Sequence, residues 1–372
     1  MDSMIDVAII GAGAAGVGCG VAMRDLGVAD FMLLDRAEIG ASFRRWPAEM
    51  RFITPSFPSN AFGLLDLNAI AIGTSPAYSL KTEHPSGPEY ADYLQNVADH
   101  FQLPVETGVD VQGILPLADG SGFEIETARG PIASRCVIWA AGEFQYPRRH
   151  PFPGAPFGRH IGDIRSWHEV EGDDILVIGG YESGMDAAYN LAMLGKRVRV
   201  FDPAPTWEST SGDPSLSLSP YTQERLRTAL ATGRVELVFD TAIERIEQDG
   251  TGYCAVSARD QRFHSTVPPI LATGFRGSLP LVANLFAWNE RGEAVLTPQD
   301  ESTLTPGLFV SGPMVRHPGA IFCFIYKFRQ RFAVIANVIA QRLDLDPAPL
   351  ETYRRNGMWL EDLACCDDAC AC

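Results

Sequence analysis

Four cysteines at the end of the chain have the residue type and spacing for redox or metal chemistry. Cys365, Cys366, Cys370 and Cys372 fall within the last eight positions. Thiols this close together can ligate one soft metal ion or exchange disulfides with a redox partner. The adjacent pair Cys365 and Cys366 would form a strained, easily reduced disulfide, whereas neighbouring aspartates favour cation binding. We predict either a redox relay or a soft-metal site here, with a tail of no function as the third alternative.

A glycine-rich turn near the start of the chain has the spacing of a dinucleotide site. Gly11, Gly13 and Gly16 follow an apolar run and open a helical pattern, with Ala14 and Ala15 between them. The first glycine makes the turn, the second lets pyrophosphate approach the backbone, and the third lets the helix meet the strand. Asp35 follows at the interval at which an acid binds a ribose hydroxyl. This turn therefore predicts a bound dinucleotide.

A second turn repeats this pattern imperfectly. Gly179, Gly180 and Gly184 are present, but Tyr181 stands where close backbone approach needs glycine, and Glu182 brings a negative charge. The acid after the next strand is Asp202, which favours NADH over NADPH unless Arg197 and Arg199 reverse that preference. The pattern predicts a nicotinamide dinucleotide site that includes Ser183, or else a unit that has lost its ligand.

Alternating strand and helix patterns must position these turns. Strands are predicted at 5–10, 31–34, 175–178, 235–239, 242–247 and 253–258, helices at 14–26 and 88–101, and a β-meander between 105 and 140. A last long helix is predicted from Ala320 to Leu343. The pattern indicates an α/β protein with two Rossmann-like three-layer domains, the second inserted in the first. We predict the first domain at 1–147 and 268–343, the second at 148–267, and a cysteine-bearing tail at 344–372.

Composition restricts the partners of the protein. Apolar residues make up 46% of the chain and charged residues 20%, as in packed soluble proteins, and the formal net charge is −16. This charge repels nucleic acid and anionic lipid. The start of the chain lacks a signal-peptide pattern, and no apolar run is long enough for a membrane span. We expect a cytoplasmic protein acting on a small-molecule or thiol substrate, with a homodimer left open.

Beyond the first glycine turn, further segments resemble known flavoproteins. The run from Gly40 to Trp46 resembles the glycine-to-tryptophan segment of flavin-containing monooxygenases. Ala140-Ala141-Gly142 and Ala272-Thr273-Gly274 are similar to paired crossover segments between two domains, and 307–313 resembles a last FAD motif. The chain thus resembles, over nearly its whole length, the two-dinucleotide-domain flavoproteins that include thioredoxin-reductase-like enzymes and flavin-containing monooxygenases. Residues 81–93 and 321–328 are most similar to the bacillithiol-disulfide-reductase-like branch.

The resemblance implies bound FAD and hydride transfer from NAD(P)H. The residues that it places at FAD, besides the first glycine turn and Asp35, are Arg36, Ser42, Trp46, Thr54, Val111, Ala141, Gly142, Gly274, Gly312, Pro313 and Ile321. His317 would lie near the flavin ring and could donate or accept a proton, or form a structural pair. Cys323 is predicted to be a buried residue on an apolar helix face, and 209–219 a mobile loop or a lid over the nicotinamide cleft.

Three departures leave the reaction open. Ala15 stands where the bacillithiol-reductase branch has cysteine, and the chain has no internal C-x-x-C. In the monooxygenase fingerprint Phe152 and Gly154 are present, but Gly158 replaces the histidine and His160 comes two residues late. We therefore predict an FAD-dependent oxidoreductase that passes electrons through the C-terminal cysteines. The alternatives are an FAD-dependent monooxygenase and a non-catalytic sensor that binds flavin and metal.

Overall fold

A computed structural model describes residues 4–58, 64–204 and 206–363 of the chain. The strands in that part are β1 Ile5–Ile10, β2 Phe31–Asp35, β3 Val105–Thr107, β4 Val111–Pro116, β5 Phe123–Thr127, β6 Ile132–Trp139, β7 Arg159–His160, β8 Asp174–Ile178, β9 Arg197–Phe201, β10 Val235–Val238, β11 Ile243–Asp249, β12 Gly252–Ser257, β13 Arg262–Ser265, β14 Ile270–Leu271, β15 Ala287–Trp288, β16 Ala294–Val295, β17 Leu308–Val310, β18 Arg316–His317 and β19 Ala320–Ile321. The α-helices are α1 Ala14–Leu26, α2 Ala41–Arg44, α3 Pro76–Leu80, α4 Gly87–His100, α5 Glu182–Met193, α6 Pro220–Ala231, α7 Ile325–Phe328, α8 Phe332–Leu343 and α9 Glu351–Arg355.

The first sheet has the strand order β3-β2-β1-β6-β5-β4, with β17 paired to β6. Strands β1, β2, β3, β6 and β17 pair in parallel, so their carboxyl ends share one edge. Strand β1 is apolar and almost fully buried because helices cover the sheet. Helix α1 packs on α8, and residues 348–350 also contact α1.

The second sheet has the order β10-β9-β8-β14-β7. Its strands lie between β6 and β17 in the sequence, which confirms the prediction that a second Rossmann-like unit is inserted in the first. A three-stranded antiparallel sheet, β11-β12-β13, adjoins this unit. The exact domain boundaries predicted from the sequence stay predictions.

The long helix predicted from Ala320 to Leu343 begins only at Ile325, so the prediction is wrong for residues 320–324. Gly319 takes a φ of +74°, and a two-residue hairpin pairs β18 with β19 where the helix was expected. Phe324 is also extended and precedes α7, and a 3-10 turn at 329–331 joins α7 to α8, which ends at Leu343. The apolar spacing at Ile321 and Phe324 reflected partial burial rather than helix. Among the described residues, no helix has the length and apolarity to cross a membrane.

Candidate dinucleotide sites

The first glycine turn joins β1 to α1. Gly11 has a φ of +110°, and a Cβ there would lie 2.5 Å from the Ala140 carbonyl oxygen. A Cβ at Gly16 would lie 1.8 Å from the Gly11 carbonyl oxygen. At Gly13, by contrast, no described atom lies within 4 Å of the added Cβ. Gly11 and Gly16 are therefore required by packing, whereas the missing side chain of Gly13 faces open space before the helix.

The carboxylate of Asp35 fixes this turn. Its two oxygens accept hydrogen bonds of 2.8 Å from the backbone N–H groups of Ala12 and Ala37. A carboxylate oxygen has a second acceptor site, so Asp35 can still accept a ribose hydroxyl. The acid therefore shapes the turn and remains available to a ligand.

The predicted last FAD motif lies against the start of α1. Gly312 has a φ of +97°, and a Cβ there would lie 2.9 Å from the Ala15 methyl carbon. Ser311 donates its backbone N–H to the Trp139 carbonyl at the end of β6. Ala141 and Gly142 follow β6 at the same edge, and Gly142 is open to solvent on the side of its missing Cβ. These segments meet at the carboxyl ends of parallel strands, which is where open α/β sheets bind ligands.

Other residues predicted at FAD surround this edge. Ser42 lies on α2, whose preceding Gly40 donates its N–H to the Ala12 carbonyl at 3.0 Å. The ring centres of Trp46 and Phe52 lie 5.0 Å apart in an aromatic cluster, so packing alone accounts for the large side chain of Trp46. Thr54 is buried.

Four further residues that were predicted at FAD lie in different parts of the first unit. Arg36 is exposed, with its guanidinium 5.7 Å from the centre of the Tyr146 ring. Val111 begins β4. Pro313 accepts a hydrogen bond from Arg316 through its carbonyl, and Arg316 pairs with Ile321 in the β18–β19 hairpin.

These residues fit a bound FAD. Helix α1 starts without a side-chain cap and without an acid in its first turn, among the described residues. Its first N–H groups therefore face the open space at Gly13 and can bind an anion, which the helix dipole favours. The pyrophosphate would lie against Gly13, Ala14 and Ala15, and Asp35 would hold the adenosine ribose.

The second turn repeats the first contact by contact. Gly179 has a φ of +107°, and a Cβ there would lie 2.3 Å from the Ala272 carbonyl oxygen. A Cβ at Gly184 would lie 1.9 Å from the Gly179 carbonyl oxygen. Asp202 accepts the Gly180 N–H at 2.6 Å and the Ala204 N–H at 2.9 Å, as Asp35 does in the first unit. The chain thus contains two turns of the same construction.

The two turns differ where the pyrophosphate would lie. Tyr181 replaces the second glycine and caps α5, and its hydroxyl donates to the Pro214 carbonyl at 2.8 Å. Glu182 accepts the Ser219 N–H at 2.6 Å and the Thr222 hydroxyl at 2.5 Å. Burial raises the pKa of Glu182, although these hydrogen bonds oppose the rise. Ser183 follows in the first turn of α5. The N-terminal end of α5 is therefore covered by residues 214–222 of the chain.

His317 lies in the β18–β19 hairpin. Its Nε2 is 2.6 Å from a carboxylate oxygen of Asp300, and only 6% of its side chain is exposed. Asp300 also binds the fully buried guanidinium of Arg331 at 2.8 Å. One ring nitrogen of His317 is thus committed to a buried ion pair, and its role as a proton donor stays a prediction.

The cysteine predictions have different outcomes. Cys365, Cys366, Cys370 and Cys372 lie outside the described residues. Cys19 and Cys136 are buried, but the prediction of a buried Cys323 is wrong, because the residue is exposed. It precedes α7 and donates to the Ser215 hydroxyl at 3.1 Å. Among the described residues, no group of three or more His, Cys, Asp or Glu side chains could hold a metal ion.

Two residues near the second site were not singled out from the sequence. Trp207 lies over Gly180, where a Cβ would come 2.2 Å from its ring. Lys327 binds Asp213 at 2.7 Å and so connects α7 to the loop after β9. Lysine is scarce among the basic residues of this chain, which is the signal that could have drawn attention to Lys327.

Comparison with known proteins agrees with this architecture. A family model described as pyridine nucleotide-disulphide oxidoreductase matches residues 8–312, and the chain therefore belongs to that family. The predicted flavoprotein superfamily and an oxidoreductase that couples a flavin to a pyridine nucleotide are thus confirmed.

Individual relatives are distant in sequence. A ferredoxin–NADP reductase from Paramagnetospirillum magneticum is 24% identical over 257 residues, which cover 66% of this chain and 74% of the relative. The bacillithiol disulfide reductase Bdr from Staphylococcus aureus superposes with a TM-score of 0.74 at 19% identity, over 91% of this chain and 99% of that one. A flavin-containing monooxygenase from Stenotrophomonas maltophilia gives a TM-score of 0.69 at 18% identity, over 92% and 99%. These two structures are similar to the chain in fold.

Proposed function

We propose that the protein uses FAD to oxidise NADH and passes the electrons through its C-terminal cysteines to a thiol, disulfide or soft-metal substrate. The observation that carries this proposal is the repeated turn. Asp35 and Asp202 each accept the N–H of the residue after the first glycine, at 2.8 Å and 2.6 Å. Bound FAD would supply two-electron chemistry, accepting hydride and releasing electrons singly or in pairs. The first turn would hold FAD and the second the nicotinamide nucleotide.

The surroundings of Asp202 support NADH rather than NADPH. Arg197 begins β9 and is paired with Asp174 through two hydrogen bonds, of 2.5 and 2.7 Å. Arg199 donates to the His264 carbonyl at 2.9 Å. Both arginines are therefore engaged away from the loop after β9. A 2′-phosphate beside Asp202 would meet negative charge without a cation from either arginine.

The position of Leu360 supports delivery of electrons to the C-terminal cysteines. Its carbonyl accepts a hydrogen bond from Arg331, and its N–H donates to the Gln330 carbonyl at 3.0 Å. Arg331 in turn binds Asp300, the partner of His317. Leu360 is therefore connected through Arg331 and Asp300 to the β18–β19 hairpin.

The surroundings of Gly158 argue against the monooxygenase alternative. A Cβ at Gly158 would lie 2.9 Å from both the Pro269 carbonyl oxygen and the Leu271 side chain, so the histidine of that fingerprint does not fit. His160 is buried, and its Nδ1 accepts the Gly162 N–H at 3.0 Å. Its Nε2 then carries the proton and donates to the Gly274 carbonyl at 3.0 Å. Neither position offers a free imidazole to a ligand.

Anaerobic titration of the flavin tests the nucleotide half of the proposal. NADH should reduce the flavin with an apparent Kd at least tenfold lower than that of NADPH. Asp202→Asn should narrow this difference, because it removes the charge that repels a 2′-phosphate. Asp260→Asn, on an exposed turn, is the matched control. A flavin that neither nucleotide reduces would contradict the proposal and favour the sensor.

Serine substitution at all four C-terminal cysteines tests the second half. The variant should lose NADH-dependent reduction of a model disulfide, in which NADH and one proton yield NAD⁺ and two thiols. Its flavin should still be reduced by NADH at the rate of the unmodified protein. Cys254→Ser, at a buried position in β12, serves as the control. Full disulfide turnover in the four-serine variant would exclude the relay.

A further inference from the structure

Residues 206–219 lie across the mouth of the second dinucleotide site. Trp207 covers Gly180, and the Thr206 hydroxyl donates to the Gly180 carbonyl at 2.9 Å. The Tyr181 hydroxyl donates to the Pro214 carbonyl at 2.8 Å and approaches the Ser217 carbonyl at 3.3 Å. The start of α5 is thus occupied by groups of this segment, whereas the start of α1 faces open space at Gly13.

The same segment is also attached to the first unit. The Lys327 ammonium donates to Asp213 at 2.7 Å and to the Ser215 hydroxyl at 3.0 Å. The side chains of Lys327 and Asp213 are 12% and 28% exposed, so solvent only partly screens this ion pair. Cys323 adds its hydrogen bond to Ser215 at 3.1 Å. Two elements far apart in sequence, the start of α5 and the start of α7, therefore both hold the segment.

The side chain of Trp207 supports a second conformation of this segment. The indole N–H of Trp207 is buried and has no hydrogen-bond partner among the described residues. A buried donor without an acceptor is unfavourable, so an arrangement in which Trp207 moves away would regain a hydrogen bond to water. Exposed polar residues such as Ser211 and Gly212 in the segment would permit such a movement.

We propose that residues 206–219 form a lid that excludes the nicotinamide nucleotide while Lys327 and Asp213 are paired, and that breaking this pair admits it. The inference rests on the proposed NADH site. Tyr181, which replaces the expected glycine, is the inner anchor of the lid, and Lys327 is the outer one. The apparent affinity for NADH then depends on the fraction of molecules in which the lid is open.

Breaking the outer anchor tests this inference on the FAD-loaded full chain. Lys327→Met should lower the apparent Kd for NADH three- to tenfold in anaerobic stopped-flow reduction, and should speed hydrogen exchange of the lid amides by a similar factor. Asp213→Asn should have the same effects. The double variant should change the Kd and the exchange rates little more than either single variant, because each single variant already breaks the same ion pair. Lys196→Met is the matched control, since Lys196 donates to the Gly172 carbonyl elsewhere in the second unit.

The inner anchor supplies an independent variant. Tyr181→Phe keeps the ring but removes both hydroxyl contacts, and it should lower the apparent Kd in the same direction. If NADH reduces the flavin but these variants leave both the Kd and the exchange rates unchanged, the lid is contradicted. A different outcome is that neither NADH nor NADPH reduces the flavin of the unmodified protein or of any variant, while hydrogen exchange of the lid amides is still faster in the variants. That result would contradict the proposed function but would confirm that these side chains hold the lid.

Discussion

His317 and Asp300 are joined by a hydrogen bond of 2.6 Å at the point where the candidate flavin site meets the C-terminal segment. Asp300 is fully buried and adopts a φ of +64°, and its carboxylate binds both His317 and Arg331. Arg331 is fully buried as well, and it also donates to the carbonyls of Pro298 and Leu360. Asp300 and Arg331 therefore hold four segments of the chain together, around residues 300, 317, 331 and 360.

Removing the charge of Asp300 should be strongly destabilising. Asp300→Asn leaves the Arg331 guanidinium buried without a counter-charge, which typically costs about 3–5 kcal/mol. Chemical denaturation monitored by circular dichroism measures this change. Glu351→Gln is the control, because its ion pair with Arg354 is exposed and worth less than about 1 kcal/mol. A loss for Asp300→Asn no larger than that of the control would show that Arg331 does not depend on this carboxylate.

Two glycines of the first turn should respond oppositely to alanine. Gly13→Ala places a methyl group in open space, so the flavin-free protein should lose no more than about 1 kcal/mol of stability, the usual difference between glycine and alanine at a helix N-cap. Its FAD affinity should fall at least tenfold, because the methyl group stands where pyrophosphate approaches. Equilibrium titration with FAD measures the affinity.

Gly16→Ala is the matched variant for this comparison. Its methyl group would lie 1.8 Å from the Gly11 carbonyl oxygen, so it should destabilise the fold itself. An FAD affinity of Gly13→Ala equal to that of the unmodified protein would place the dinucleotide elsewhere.

Local sequence rules accounted for the glycine turns. The strand, the three spaced glycines and the acid follow one another within about 25 residues, so the order of Gly11 to Asp35 and of Gly179 to Asp202 was predictable. The contacts of Gly11 with Ala140 and of Gly179 with Ala272 come from the tertiary fold. The second turn also departs from the pattern at Tyr181, and the departure was visible in the sequence. The segment 209–219 was named from the sequence as a mobile loop or a lid. Its contacts to Tyr181 through Pro214 and Ser217 were not visible, because they arise from the tertiary fold.

Residues 320–324 show where periodicity fails. Apolar residues recur from Ile321 onward at helical spacing, yet Ala320 and Ile321 belong to a hairpin that turns at Gly319, and Phe324 is extended. Burial alone produced the apolar spacing, and tertiary contacts selected the backbone. The same error placed Cys323 on a buried helix face, whereas the residue precedes α7, is exposed, and contacts Ser215, more than a hundred residues away in the sequence.

The stability of the protein should fall below about pH 6.5 because of His160. Burial lowers the pKa of His160 below its ordinary value of 6.5. Between the folded-state pKa and 6.5 the unfolded chain binds more protons, so stability rises with pH and is lost as the pH falls through this window. The slope for one group is at most about 1.4 kcal/mol per pH unit. Denaturation midpoints between pH 5 and 7.5 measure it.

A substitution isolates this contribution. His160→Gln can still donate to the Gly274 carbonyl but does not titrate, so its stability should depend less on pH over the same window. His150→Gln, at an exposed position, should leave the pH dependence unchanged. Equal pH dependence in His160→Gln and the unmodified protein would show that His160 is not the group responsible.

Alkylation should distinguish Cys323 from the other cysteines of the described part of the chain. Burial raises the pKa of Cys19 to about 12 and that of Cys136 to about 11, so both thiols are inaccessible and protonated. Partial burial also raises the pKa of Cys323, but the residue is exposed. Iodoacetamide at pH 8.5 should therefore modify Cys323 at least tenfold faster than Cys19 or Cys136, as measured by peptide mass spectrometry. Modification of Cys19 or Cys136 at the rate of Cys323 would show that these two side chains are not buried.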